Sequence, residues 1–389
     1  MKKIVYVTGS RAEYGVIRST LEEIQKHKDL KLSLIVTGMH LSPEFGGTVK
    51  EIEKDGFKIA AKIDILPRED TGAAMAKYLG YGVIRITETL EKIKPDIVLV
   101  AGDRGETLAA AIAAAYLNIP VAHISGGDIT TGGTIDDITR HCITKFAHIH
   151  FPATEKSAKI IISMGERPSR VFAVGNPGIP LKYKASKKEL ESVARQLKLD
   201  LTKPILLVIQ HPVTTESHLA GRQMRETMEA IKELGMQTVV IYPNADAGAR
   251  EMIKVINKYR GLHFIQIHKS IPRKIFLPLM AVSSVMIGNS SCALLEAPSF
   301  NLPAVNIGKR QEGRERGKNV IDVKPKKEEI ILAVRKALYD KKFHERVKKS
   351  MNPYVKRGAE KNIVKILRKI EISPELLQKG LFLREDARS

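Results

Sequence analysis

A chain of 389 residues is about twice the length of one ordinary domain, so it is expected to fold as two. Its 43% hydrophobic and 28% charged residues supply conventional packed cores, which excludes a disordered chain. The formal charge of +21 favours anionic partners, but aromatic residues are only 5% and no helix-turn-helix or zinc-finger signature occurs, so nucleic acid is not expected.

The N-terminal run from Lys2 to Val7 is too short for a signal peptide and reads as a first strand. It ends at Thr8, and Gly9-Ser10-Arg11 leads into a helix with Val16, Ile17, Leu21 and Ile24 on one face. A second strand covers 31–36, and a helix with Val49 and Ile52 follows. An extended stretch at 57–66 precedes a long helix at 73–93, stopped by Lys94-Pro95. A strand at 97–100, an Ala-rich helix to Leu117 and a strand at 121–124 complete the first series. The second series begins near Gly175, with strands at 205–209, 238–242, 263–267, 285–287 and, as the last, 304–307. Helices between them end at Leu234 and Tyr259, and helices at 327–339 and 360–370 close the chain. No apolar run is long enough to span a membrane, and a cytoplasmic protein is expected. Cys142 and Cys292 sit among small or apolar residues without metal-ligand spacing and read as buried free thiols.

Strands alternating with helices predict an α/β protein of two doubly wound Rossmann-like domains facing a cleft. The expected division is residues 1–175, then 176–350, with a C-terminal helix and tail at 351–389 packing back on the first domain. Such sheets bind ligands beyond the carboxyl ends of their strands. In the first half that selects the loops 9–15, 37–45, 102–106 and 125–137. Asp103 stands at a strand end, and Asp128, Asp136 and Asp137 lie in the next loop. Carboxylates near one another separate their pKa values and can divide into an acid and a base. Asp136 and Asp137 could instead be ordinary acids of a helix N-terminus. A metal site ranks lower, because Arg104 and Arg140 stand beside these carboxylates. His123, His141, His148 and His150 read as core histidines, whereas His211 follows a strand of the second half and faces the cleft.

Further along, Gly288-Asn289-Ser290-Ser291 precedes a helix near Ala293 and can act as an anion site or a plain helix cap. Glu296 can accept ribose hydroxyls or be a solvated helix residue. Lys309, Arg310, Arg314 and Arg316 crowd a loop after a strand, where planar guanidinium groups suit a diphosphate. The first turn, 9–15, is neither a Walker loop nor a dinucleotide fingerprint.

Taken together, these segments resemble the UDP-N-acetylglucosamine 2-epimerase family, in its hydrolysing, sialic-acid-pathway branch. The matching motifs are GSRAEYG at 9–15, GDR at 102–104, GTIDDITRHCITK at 133–145, QHPVTT at 210–215, PNADAG at 243–248, GNSSC at 288–292 and GKRQEGR at 308–314. The resemblance implies a GT-B-type fold with the uridine diphosphate held by the second half. It implies that Arg11, Arg104, His211, Asn244, Ser290, Ser291, Glu296 and Arg310 contact the nucleotide sugar, and that the carboxylates are Asp103, Asp136 and Asp137, with Asp103 taken as the base. It also implies release of UDP and a free manno-configured 2-acetamido sugar through a glycal, and a homodimer; no cofactor, metal, nucleic acid or membrane is expected. One departure stands beside the sugar: Ser125 replaces an acidic residue of many relatives. Either Asp128 takes that role or the sugar differs, as in UDP- or GDP-linked N,N'-diacetylbacillosamine. A non-hydrolysing epimerase and a GT-B glycosyltransferase are the other readings.

Overall fold

The computed structural model describes residues 1–67, 69–132 and 135–383. Two six-stranded sheets carry the chain. The first contains β1 (Lys2–Thr8), β2 (Leu30–Thr37), β3 (Ile59–Ile63), β4 (Ile97–Ala101), β5 (Val121–Ile124) and β6 (Ile149–Phe151) in the order β3-β2-β1-β4-β5-β6. The second contains β7 (Ile205–Ile209), β8 (Gln237–Ile241), β9 (Ile265–His268), β10 (Val285–Gly288), β11 (Ala304–Ile307) and β12 (Val320–Val323) in the order β12-β11-β10-β7-β8-β9. Every ladder between these strands is parallel, and helices cover both faces, as the alternating sequence pattern predicts. The strand order reverses between β1 and β4 in one sheet and between β7 and β10 in the other. Each reversal opens a crevice.

The cores follow the two-residue period of the strands. Ile4, Tyr6, Leu32, Leu34 and Leu99 face one layer with Ile17 and Leu21, while Val5, Val7, Ile35, Val98 and Val100 face the other with Ile86 and Ile143. The second sheet alternates likewise, Leu206, Val208 and Ile287 against Leu207, Ile209 and Met286. The Ala-rich helix Gly105–Tyr116 packs closely because its neighbour, the helix Gly72–Ile93, presents Gly82, where a side-chain carbon would lie 3.0 Å from Ala109 Cβ.

Near its end the chain returns to the first half. Helix Ala359–Lys369 places Ile363, Val364 and Leu367 in the same cluster as Ile4 and Ile17. Lys2 Nζ donates to the Leu367 and Ile370 carbonyls at 2.8 and 2.7 Å, satisfying that helix's carboxyl end. The outgoing and returning crossovers touch where Asn176 N–H meets the Tyr354 carbonyl at 2.7 Å.

Some sequence expectations need correction. Ala304–Ile307 is followed by one more strand, β12, an edge strand whose apolar run is broken by Asp322 and which is only partly buried. Strand β6 was also absent from the sequence reading, since three residues including His150 carry little periodic signal. Cys142 is exposed rather than buried, because it lies on the outward side of helix Ile135–Phe146. Among the described residues no helix is long and apolar enough to cross a membrane.

Candidate active site

The loops that leave the strands at both reversals line one cavity between the halves. Ser10, Arg11, Asp103, Arg104, Ser125, Asp128, Thr130, Asp136 and Arg140 come from the first half. His211, Asn244, Ser290, Ser291, Glu296, Arg310 and Arg314 come from the second. The loop at 37–45 does not reach the cavity; its His40 is buried between Thr8 and Thr48 instead. Of the GTIDD motif, Gly133 and Thr134 lie outside the described residues.

Asp103 is positioned by the turn after β4. Gly102 adopts φ of +79°, which favours glycine, and its carbonyl accepts from His123 Nε2 at 2.7 Å. Burial pushes the His123 pKa down to about 3, so this histidine serves as a neutral core donor, as the sequence reading expects. Arg140 is 1% exposed and organises the acidic loop around it. It donates to the Asp103 carboxylate through Nη2 and, at 3.1 Å, through Nε, and reaches the Asp128 carbonyl at 2.9 Å and Asp137 Oδ1 at 3.0 Å. Burial alone would raise the Asp103 pKa, but Arg140, Arg314 and Arg310 together hold it below the usual carboxylate value.

Asp136 is in a different state. Its Oδ2 accepts from Arg310 of the opposite half at 2.9 Å, yet burial and the neighbouring charge of Asp103 push its pKa up to about 6. Asp128 accepts from Ser157 Oγ at 2.8 Å and pairs with Arg314 Nε at 3.2 Å, again across the cleft. Asp137 is absent from the cavity wall. Its Oδ1 accepts from Thr130 N–H at 2.7 Å, Thr130 Oγ1 at 3.0 Å and Arg140, so it braces the loop. Ser125 lines the cavity with φ of +65°, a backbone shape that few non-glycine residues adopt.

On the opposite wall, the Asn289 side chain clasps the His211 backbone, accepting its N–H at 2.7 Å and donating to its carbonyl at 2.8 Å. His211 Nδ1 accepts from Asn244 N–H at 3.0 Å, which leaves the ring proton on Nε2. Burial, reinforced by Arg310 and Arg104, lowers its pKa well below normal and keeps the ring neutral. The helix after Ser291 is a single turn, Cys292–Leu295, so the expected helix-dipole contribution at Ser290 and Ser291 is smaller than a full helix would provide. Glu296 is not a solvated helix residue: it is buried, and Arg273 holds its carboxylate while also donating to the Gly178 carbonyl at 2.9 Å. Arg310 donates to the Asn289 carbonyl at 3.2 Å, and its Nε is buried with no protein partner. Arg104 bridges the halves, from Glu106 Oε1 at 3.0 Å to Asp246 Oδ1 at 3.3 Å.

The sequence reading did not single out Glu13, Arg273 or Tyr354, all of which line the cavity. Glu13 accepts from Tyr6 OH at 2.5 Å, from Thr8 and from Gly9 N–H, and burial pushes its pKa up to about 7. Its place in the GSRAEYG motif was the available signal. Arg273 and Tyr354 lie outside every motif, and only the fold brings them in. Arg11 lines the cavity too, its pKa lowered to about 10 by burial and nearby Arg273, against the opposing pull of Glu51. Among the described residues no three His, Cys, Asp or Glu side chains are grouped to hold a metal ion. The arrangement offers carboxyl groups of unequal acidity facing fixed guanidinium and imidazole donors, which suits proton transfer beside an anionic leaving group.

The profile described as UDP-N-acetylglucosamine 2-epimerase matches residues 22–368. A hydrolysing UDP-N,N'-diacetylbacillosamine 2-epimerase of Legionella pneumophila is 39% identical over 381 residues, covering 97% of this chain and 99% of that protein. A UDP-N-acetylglucosamine 2-epimerase of Neisseria meningitidis serogroup B is 34% identical over 343 residues, covering 88% of this chain and 89% of that protein. In fold, the chain is similar to a crystal structure of UDP-GlcNAc 2-epimerase from Neisseria meningitidis bound to UDP-GlcNAc, with a TM-score of 0.76 and 22% identity over 95% of this chain and 100% of that one. The chain belongs to the UDP-N-acetylglucosamine 2-epimerase family.

Proposed function

We propose that the chain is a hydrolysing 2-epimerase of a UDP-linked 2-acetamido sugar, with UDP-N-acetylglucosamine as the first substrate to test. The observation that carries this reading is the cavity itself, in which Asp103, Asp128 and Asp136 face His211, Arg310 and Arg314. In this reading Asp136, rather than Asp103, removes the proton at sugar C2. A carboxyl group with a pKa of about 6 is the stronger base, and Asp103 is held ionised by Arg140. The C2–H electrons form a C1=C2 double bond while the C1–O bond breaks and its electron pair leaves with UDP. Arg310 and Arg11 bind the departing diphosphate, and His211 donates from Nε2. Water then adds its oxygen to C1. C2 takes a proton on the face opposite the one that lost it, so a second carboxyl group is required, and Asp128 on the cavity wall is the one assigned to it. The product is the free manno-configured sugar.

The test is incubation with UDP-N-acetylglucosamine alone in heavy water. Free UDP and N-acetylmannosamine with deuterium at C2 support the reading. A product still linked to UDP would establish the non-hydrolysing reaction, and no turnover without an acceptor would favour a glycosyltransferase. The Legionella relative's name, together with Ser125 on the cavity wall, supports a second substrate reading, UDP-N,N'-diacetylbacillosamine. A larger kcat/KM for that sugar in the same assay would select it.

A further inference from the structure

The segment 244–250, which follows β8, is bonded to the opposite half along its length. Asp246 pairs with Arg104, and Ala247 N–H approaches Met75 Sδ at 3.4 Å. Asp70 accepts from Gly248 N–H and Arg250 N–H, each at 2.9 Å, and the Arg250 side chain grips Glu44 at 2.9 and 3.0 Å. The bonds of Asp70 are unusual in origin. Helix Ala249–Asn257 begins here, and its N-cap is Gly248, which has no side chain to satisfy the first-turn N–H groups. A side chain could not be accommodated there: a Cβ on Gly248 would lie 2.8 Å from the Ser217 carbonyl, and the residue has φ of +90°. The cap is therefore supplied by the other half of the molecule. The same segment also faces His211, whose Nδ1 accepts the Asn244 N–H.

We propose that 244–250 is a clasp that couples closure of the two halves to the orientation of His211, with Asp70 as its positioning residue. A cap carried on the helix's own half would be indifferent to whether the cleft is open. A cap carried by Asp70 forms only when the halves meet, and charge-assisted bonds to backbone N–H groups favour that meeting. Closure then holds the segment whose Asn244 N–H fixes the imidazole tautomer, leaving Nε2–H to serve the cavity. The catalytic side of this proposal rests on the function proposed above.

The test uses the full chain with Asp70→Ala and Asp70→Asn, alone and combined with His211→Gln. Turnover, UDP affinity by calorimetry and the radius of gyration by X-ray scattering, with and without UDP, are measured. For Asp70→Ala, kcat is expected to fall about tenfold, UDP affinity to change less than about threefold, and the protein to be less compact than the parent in at least one state. Asp70→Asn, which keeps an acceptor oxygen, should fall between. In the His211→Gln background the effect of Asp70→Ala should shrink below about twofold, because both changes act on one group. Unchanged compactness with unchanged kcat, even at a lowered melting temperature, would reduce Asp70 to an ordinary cap and overturn the clasp. So would a full tenfold loss persisting without His211. If the parent protein neither binds UDP nor releases it from a UDP-sugar, the proposed function fails, while the scattering comparison still decides the clasp.

Discussion

In the first half the cleft loops present Asp103, Asp128 and Asp136; in the second, built on the same strand order, they present His211, Ser290 and Arg310. The shared topology puts a loop cluster at the same place in both sheets, at the carboxyl ends beside the reversal. Side chains then divide the labour. The acidic wall also differs within itself. Asp103 takes its counter-ion, Arg140, from its own half, whereas Asp128 and Asp136 take Arg314 and Arg310 from across the cleft. A carboxylate neutralised locally is ionised whether the cleft is open or closed. One neutralised from across loses its counter-ion if the halves separate, and an anionic ligand competes with it for the arginine.

The largest effect that would sharpen this contrast is expected at Asp136. Asp136→Asn should lower kcat by roughly 10²–10⁴-fold while leaving UDP binding nearly intact, as calorimetry and steady-state kinetics would show. Near-normal turnover would break the assignment. Arg140→Met comes next: Asp103 and Asp137 would lose their shared partner at a buried site, and stability to urea should drop by about 3–5 kcal/mol. A drop under 1 kcal/mol would mean that water can replace Arg140 there.

The pH profile follows. The Asp136 pKa is raised, to about 6, so the base form is lost as pH falls through that value. The rate should therefore decline about tenfold per unit on the acid side and level off above, with the limb absent in Asp136→Asn. A rate that instead falls as pH rises through 6 would make Asp136 the acid. The smallest effect is expected at the neighbouring residue: Asp137→Asn, off the cavity wall, should change kcat less than about tenfold and act mainly by loosening Thr130.

Much of the architecture was legible in the residues. Apolar strands such as Val121–Ile124 and Ala304–Ile307 and the helix Lys327–Tyr339 were read with the bounds they have. Most cavity residues were found because strand-end loops are recognisable from pattern. Strands β6 and β12 escaped because so few residues, one of them His150 or Asp322, do not establish a period. Arg273 escaped because nothing near it in sequence marks it, and its partner Glu296 is 23 residues away. Asp137 was grouped with its neighbour because adjacent residues on a helix look alike in sequence but point about 100° apart.

By itself, then, the sequence determined the alternation of strands and helices, the reversal points that this alternation produces, and the polar residue types in the loops there. Those properties depend on local periodicity and turn chemistry. Only the tertiary structure decided which carboxylate meets which guanidinium, that Asp136 and Asp103 differ in acidity, and that Asp70 caps a helix of the opposite half. Those properties arise from burial and from charges brought together over separations such as the 174 residues between Asp136 and Arg310, which no local pattern encodes.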